Sequence, residues 1–240
     1  LSSQKTNSVV ITGASRGIGR RIALAFAEQT DYALLLVART MVDLEETERL
    51  CNSKGSNKIT LSSCNISNVE AVRNITLPEG WPDPNIIINN AGSFLLKELQ
   101  DTSTEELEQQ VQANLFSAVN MTNRFLNELK EQDHAFVINI CSVSALEGRK
   151  DSGAYAASKH ALLGYTRSLR KELIDTEVGV TAINLGQTES TSWDGSSMDR
   201  NLLIDPDDVA QLILSITRLS PRTVVEEIVV KPKHGRVPPM

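Results

Sequence analysis

Two rhythms of apolar residues alternate along this 240-residue chain. In short runs, β-branched and other apolar residues follow one another directly. In longer stretches they return every three or four positions. The short runs predict strands at Ser8–Thr12, Tyr32–Ala38, Lys58–Ser63, Ile86–Asn89, Ala135–Cys141, Val180–Leu185 and Val224–Val230. The longer stretches predict helices near Ile18–Gln29, Met41–Ser53, Val69–Thr76, Thr104–Glu131, Tyr155–Thr176 and Pro206–Leu219. Strands separated by helices pair in parallel, and helices then cover both faces. The pattern therefore predicts one α/β domain over residues 1–240, a doubly wound parallel sheet of about seven strands. Two helix starts are written into the sequence: a capping box within Thr102–Glu106, and Asp205 as N-cap before Pro206. Only Thr188–Asp205 lacks periodicity. It follows a predicted strand's C-terminal end, where ligands bind in such sheets, and reads as a lid or a passive loop.

Composition narrows the function classes. A content of 40% hydrophobic residues supports a sizeable core, and a net charge of −6 argues against nucleic acid or an anionic membrane as the main partner. No run of 18 apolar residues occurs, and Leu1–Asn7 is polar, so a soluble cytoplasmic protein is expected. Cys51, Cys64 and Cys141 have no paired spacing and read as reduced thiols; with His134, His160 and His234 they form no metal-ligand pattern. The glycosylation-like triplets at Asn65, Asn74 and Asn120 read as chance matches.

Chemistry enters at three places. After the first strand, Thr12-Gly13-Ala14-Ser15-Arg16-Gly17-Ile18-Gly19 opens into a helix. Glycines allow a tight turn and close approach to a pyrophosphate, while the helix N-terminus offers free N–H groups and positive dipole. About twenty residues on, the second strand ends in Ala38-Arg39 where a carboxylate would accept from a ribose 2′-hydroxyl. Arg39 with Arg16 suits a 2′-phosphate instead, which favours NADP(H). Finally, Tyr155 and Lys159 stand four residues apart, on one helix face. A cation held near a phenol favours the phenolate and lowers a pKa that is ordinarily about 10.

These elements, with Asn89-Asn90-Ala91-Gly92, Asn114 and Ser142, resemble the short-chain dehydrogenase/reductase family over about Val9–Val230. The resemblance implies a Rossmann-type fold and a catalytic tetrad. In it Tyr155 exchanges the proton of a carbonyl or alcohol, Lys159 tunes the phenol and holds the nicotinamide ribose, Ser142 polarises the carbonyl, and Asn114 holds a water. Ser144 is the nearest rival to Ser142. The resemblance further places Gly13, Ser15, Arg16, Gly17, Ile18, Gly19, Arg39, Asn65, Ile66, Asn90, Ala91, Gly92, Tyr155, Lys159, Gly186, Thr188 and Ser190 around the cofactor. Two departures stand out: Leu185-Gly186 where the family has Pro-Gly, and Asn65-Ile66 where it has Asp-Val near the adenine. The carbonyl oxygen of Asn65 is expected to accept from the adenine amino group.

The family's two-fold helix interface implies a homodimer or homotetramer. The leading expectation is an NADPH-dependent reductase of a small carbonyl substrate, most like bacterial sepiapterin-reductase-like members. The alternatives are a 3-hydroxy acid dehydrogenase, a 3-oxoacyl-carrier-protein reductase using a basic patch at Arg167, Arg170 and Lys171, and an inactive nucleotide-sensing protein. A pterin substrate would need a stacking surface, Trp193, and a carboxylate from Glu147, Asp194 or Asp199, with Ser144 also at the substrate end.

Overall fold

A computed structural model describes residues 7–55 and 57–235, so the polar N-terminal stretch lies outside the described residues except for Asn7. The described residues hold one sheet of seven parallel strands: β1 (Ser8–Thr12), β2 (Ala33–Ala38), β3 (Ile59–Ser63), β4 (Ile86–Asn89), β5 (Ala135–Ser142), β6 (Val178–Leu185) and β7 (Glu227–Val230). Their spatial order is β3-β2-β1-β4-β5-β6-β7. The helices are α1 (Gly17–Gln29), α2 (Met41–Asn52), α3 (Val69–Arg73), α4 (Thr104–Val111), α5 (Ser117–Lys130), α6 (Gly153–Glu172) and α7 (Pro206–Thr217).

Strand alternation divides the core into two layers. Val9, Ile11, Ile86 and Ile88 face Ile22 and Phe26 of α1 and Val209 and Ile213 of α7. Val10, Ile87 and Val137 face the other way, onto Met121, Phe125 and Leu129 of α5 and Leu169 of α6. Strands buried on both faces read as continuous apolar runs, which is why the pattern located them. The strand order reverses between β1 and β4, so the loops leaving their C-terminal ends open a crevice there.

Both capping predictions match the structure. The Ser103 hydroxyl accepts from Glu106 N–H (3.2 Å) while Glu106 accepts from Ser103 N–H (2.9 Å). Asp205 accepts from Asp207 N–H at 2.8 Å. The continuous helix expected over Thr104–Glu131 is instead two helices joined by a π turn at Gln112–Phe116. Asn114 sits inside that turn and is buried, its amide spent on groups outside the helix. The helix expected to begin at Tyr155 starts at Gly153, which has no Cβ and so leaves room for the Leu99 side chain. Strand β7 is shorter than expected, because only Glu227–Val230 pairs with Ala182–Leu185. Helix α3 stops at Arg73, and Ile75 turns into the core with its carbonyl held by Arg124 Nη2 at 3.1 Å.

Candidate active site

The ends of β1 and β4 are clamped together. Thr12 Oγ1 accepts from the backbone N–H of Asn90 and of Ala91, both at 3.0 Å, and Asn90 Nδ2 donates to Thr12 O at 2.9 Å. The glycine loop folds over this clamp through positive φ at Gly13 (66°) and Gly17 (54°). A Cβ on Gly13 would lie 2.8 Å from Asn90 Nδ2, so that glycine lets the loop touch the neighbouring strand end. Gly17 faces the open cleft instead, its nearest neighbour the Ser190 Cβ at 3.7 Å. The N-cap of α1, Arg16, supplies no side-chain cap, which leaves the first-turn N–H groups for a ligand. From behind, Arg20 donates to Ser15 O and to Thr47 Oγ1, and Thr47 donates to Ala14 O. Of the expected cofactor residues only Gly19 is off the cleft wall. A Cβ there would overlap the Gly13 carbonyl and lie 2.6 Å from Asn90 Nδ2, so Gly19 packs the helix against the loop.

The cleft measures about 1030 Å³ and runs from this loop to Tyr155, room for a dinucleotide and a small substrate. At its far end Arg16 and Arg39 are both exposed, and neither forms an ion pair among the described residues. Asn65 and Ile66 line the same end, but Asn65 Oδ1 already accepts from Ser67 Oγ–H (2.7 Å) and Ser67 N–H (3.3 Å). Both acceptor positions are thus filled, and the NH₂ group is what Asn65 offers a ligand, reversing the expected polarity.

Ser142 at the end of β5, Tyr155 and Lys159 on α6, and Asn114 in the π turn converge on the opposite end. Lys159 is 5% exposed and its Nζ donates to Ile140 O at 2.8 Å, 5.9 Å from the Tyr155 ring centre. Burial depresses its pKa. Tyr155 keeps some exposure to the cleft yet lies deep in the fold, and burial pushes its phenol above the ordinary range. A hydrogen bond with Ser142 pulls it partly back. The expected lowering by Lys159 is therefore not what the protein alone provides: the ammonium is bound to a backbone carbonyl, and burial dominates. Asn114 Oδ1 accepts from Ser93 N–H (3.0 Å) while Nδ2 donates to Ser93 O and Ser158 Oγ, each at 3.0 Å. Ser158 in turn donates to Tyr155 O at 2.7 Å. Asn114 thus ties the segment after Gly92 to the helix that carries the tyrosine. Gly92 makes this possible, since a Cβ there would lie 2.5 Å from Asn114 Oδ1.

Ser144, Glu147 and Trp193 also line the cleft. Ser144 N–H donates to Ser142 Oγ at 3.1 Å, so the rival serine orients the tetrad serine. Trp193 is 7% exposed, packs with Leu203 and Met198, and donates to Thr188 O at 3.0 Å. Thr188 spends its hydroxyl on Gly186 O and Ser190 Oγ accepts from Ser192 N–H, so both are folded into the 188–205 segment as well as facing the cleft. Arg200 reaches back to Ser190 O (3.0 Å) and Asp194 (3.3 Å). Sequence reasoning missed Phe94, whose ring meets Tyr155 edge-on at 4.9 Å, and Arg149, which lines the cleft beside Glu147. Neither carries a motif; only their neighbours in space give them away. The described residues contain no cluster of metal-ligating side chains, and no helix among them is long and apolar enough to cross a membrane.

Such a sheet, with a glycine loop at its switch point and a Ser–Tyr–Lys constellation facing it, defines a dinucleotide-binding oxidoreductase. The model of the short chain dehydrogenase family matches residues 7–201, and the chain belongs to that family. It is 29% identical over 239 residues to a sepiapterin reductase of Chlorobaculum tepidum, covering 95% of this chain and 97% of the relative. It is also 25% identical over 240 residues to an NADP-dependent 3-hydroxy acid dehydrogenase of Schizosaccharomyces pombe, covering 95% and 93%. In structure it resembles an alcohol dehydrogenase of Thermococcus sibiricus complexed with 5-hydroxy-NADP, with a TM-score of 0.89, 24% identity, and coverage of 97% and 99%.

Proposed function

We propose that the protein is an NADPH-dependent reductase that converts a small carbonyl compound to its alcohol, with Tyr155 as proton donor. The carrying observation is the meeting of Ser142, Tyr155 and Lys159 at one end of a cleft whose other end presents Arg16 and Arg39, two guanidiniums without an ion pair among the described residues. The reduced nicotinamide, when bound, would supply hydride to the carbonyl carbon. Tyr155 gives its proton to the carbonyl oxygen while the Ser142 hydroxyl holds that oxygen; burial keeps the phenol protonated at neutral pH, as an acid must be. Lys159 stands behind the phenol to receive the negative charge that proton loss leaves, and is placed to hold the ribose. Ser142, Tyr155 and Lys159 are all present and converge, which favours an enzyme over a nucleotide sensor.

The choice of NADPH rests on Arg16 and Arg39, and the names of the Schizosaccharomyces relative and the Thermococcus structure agree with it. For a pterin substrate, Trp193 and Glu147 are the supporting residues, and the Chlorobaculum relative lends its name to the idea. Asp194 and Asp199 fall away: neither lines the cleft, Asp194 being held by Arg200 and Asp199 capping its own turn. A carrier-protein substrate loses support too, since Arg167 and Arg170 are neutralised by Glu227 and Glu226. Two-fold assembly through α5 and α6 and a cytoplasmic setting belong to the same proposal. Free thiols at Cys51, Cys64 and Cys141 suit a reducing compartment.

The test is Arg39→Asp, with kcat/KM measured for NADPH and NADH. A carboxylate repels a 2′-phosphate and accepts from a ribose hydroxyl, so the preference should swing toward NADH by at least about tenfold. A wild-type enzyme that already prefers NADH removes the role given to Arg16 and Arg39.

A further inference from the structure

We infer that Arg149 is a carboxylate anchor and that the natural substrate is an oxo acid, its carboxylate replacing Glu147 on the guanidinium. The inference rests on the reductase reading above and narrows its substrate class. Arg149 lies between Ser142 and Tyr155 in the chain, in the connection from β5 to α6, and lines the cleft with Ser144 and Ser152. Its side chain is only 14% exposed, whereas that of its ion-pair partner Glu147 is 62% exposed. The closest approach of the pair is Nη2 to Oε1 at 2.8 Å, from a residue two positions away.

That asymmetry decides which charge a ligand brings. A cationic ligand would have to take Glu147 from Arg149 and leave a half-buried guanidinium without its carboxylate, which is unfavourable. An anionic ligand displaces Glu147 into water, where a mostly exposed carboxylate is well solvated. The guanidinium keeps a carboxylate partner throughout, and its planar fork suits a bidentate pair. Asp151, the other carboxylate lining this end, accepts from Ser152 Oγ at 3.5 Å. Glu147 then acts as a placeholder that keeps Arg149 paired between turnovers. The phosphate-binding loop leaves β1, on the other side of β4, so the cofactor's own anions have a separate seat.

The experiment compares 3-oxobutanoate with methyl 3-oxobutanoate, which share the ketone and differ in the charge, in wild type, Arg149→Met, Arg149→Lys and Glu147→Gln. The measured quantity is the acid-to-ester ratio of kcat/KM within each protein, so partial unfolding of a variant cancels. Wild type should favour the acid; Arg149→Met should lower the ratio by about tenfold or more, as expected for loss of a charge-assisted bond. Arg149→Lys should fall between, and Glu147→Gln should raise the ratio by removing the competitor. An unchanged ratio in Arg149→Met with active enzyme overturns the anchor and leaves the reductase reading standing. If neither ketone is reduced, calorimetric binding of butanoate decides. Binding lost in Arg149→Met supports the anchor and sinks the reductase reading for this substrate class, while no Arg149-dependent binding overturns the anchor.

Discussion

Lys159→Met should make the protein more stable and nearly inactive, and the stability gain should shrink as pH rises. The native ammonium is 5% exposed, has one hydrogen-bond acceptor, Ile140 O, and no carboxylate within ion-pair distance among the described residues. Burying an ion costs several kcal/mol, and a charged hydrogen bond returns about 1.5–3 kcal/mol. A net cost of about 2 kcal/mol against folding is then expected at neutral pH, consistent with the lysine pKa being depressed by burial. Methionine fills a similar volume without charge. For a chain of this size about 2 kcal/mol corresponds to a Tm rise of ~4–8 °C. The pH sign follows from the direction of the shift. Because the folded pKa lies below the unfolded one, the cost is fully present below the folded pKa and fades as pH rises from there to the unfolded value, about 10.4. Thermal unfolding of both proteins, followed by circular dichroism at pH 7 and near pH 10, tests this. A Lys159→Met protein that melts below wild type at pH 7, or a gap that does not narrow with pH, would refute the reasoning.

Tyr155→Phe should lower turnover by about 10²–10⁴ while NADPH still binds, measured by steady-state kinetics beside calorimetry, since only the proton donor is lost. Burial raises the phenol pKa, so carbonyl reduction should hold through neutral pH and decline well above it, while alcohol oxidation, which needs the phenolate, should climb with pH. Identical pH limbs in both directions would contradict Tyr155 as the exchanging group. Gly19→Ala forces a Cβ to within 2.6 Å of Asn90 Nδ2 and should cost about 1–3 kcal/mol, with nucleotide affinity falling as the loop shifts; an unchanged Tm and Kd would contradict the packing role.

What the chain reveals by itself depends on whether the determinant is local. The strands were legible because a residue run such as Ile86–Ile88, buried on both faces, stays apolar without interruption. The glycine loop and the Tyr155–Lys159 spacing were legible because short-range geometry sets them. The π turn at Gln112–Phe116 was not: one extra residue in a turn hardly disturbs helical apolar spacing, and the Asn114 within it bonds Ser93, 21 residues away. The burial that raises the Tyr155 pKa in the protein alone was not legible for a related reason. Helical spacing places a lysine near the phenol, but the Lys159 bond to Ile140 O and the depth of the site come from strand β5. Arg149 sits in a charged stretch, Glu147 to Asp151, and only the fold shows that its side chain is mostly covered.

The charge of the cleft runs against that of the chain, and this links the two ends of the site. The whole sequence carries −6, yet among the described residues the cleft is lined by five cations (Arg16, Arg39, Arg149, Lys159 and Lys231) against three carboxylates (Asp43, Glu147 and Asp151). A positive crevice with low-dielectric walls concentrates its field and draws in anions, while the acidic exterior repels polyanions such as nucleic acid. The cations are also held differently. Arg16 and Arg39 are exposed and form no ion pair among the described residues, which suits a cofactor that must leave after each turnover. Lys159 is buried and Arg149 half-buried; among the described residues the Lys159 ammonium is held by Ile140 O and Arg149 by Glu147, so each gains when an additional partner arrives. Binding energy is thereby directed to the end of the cleft where the proton moves.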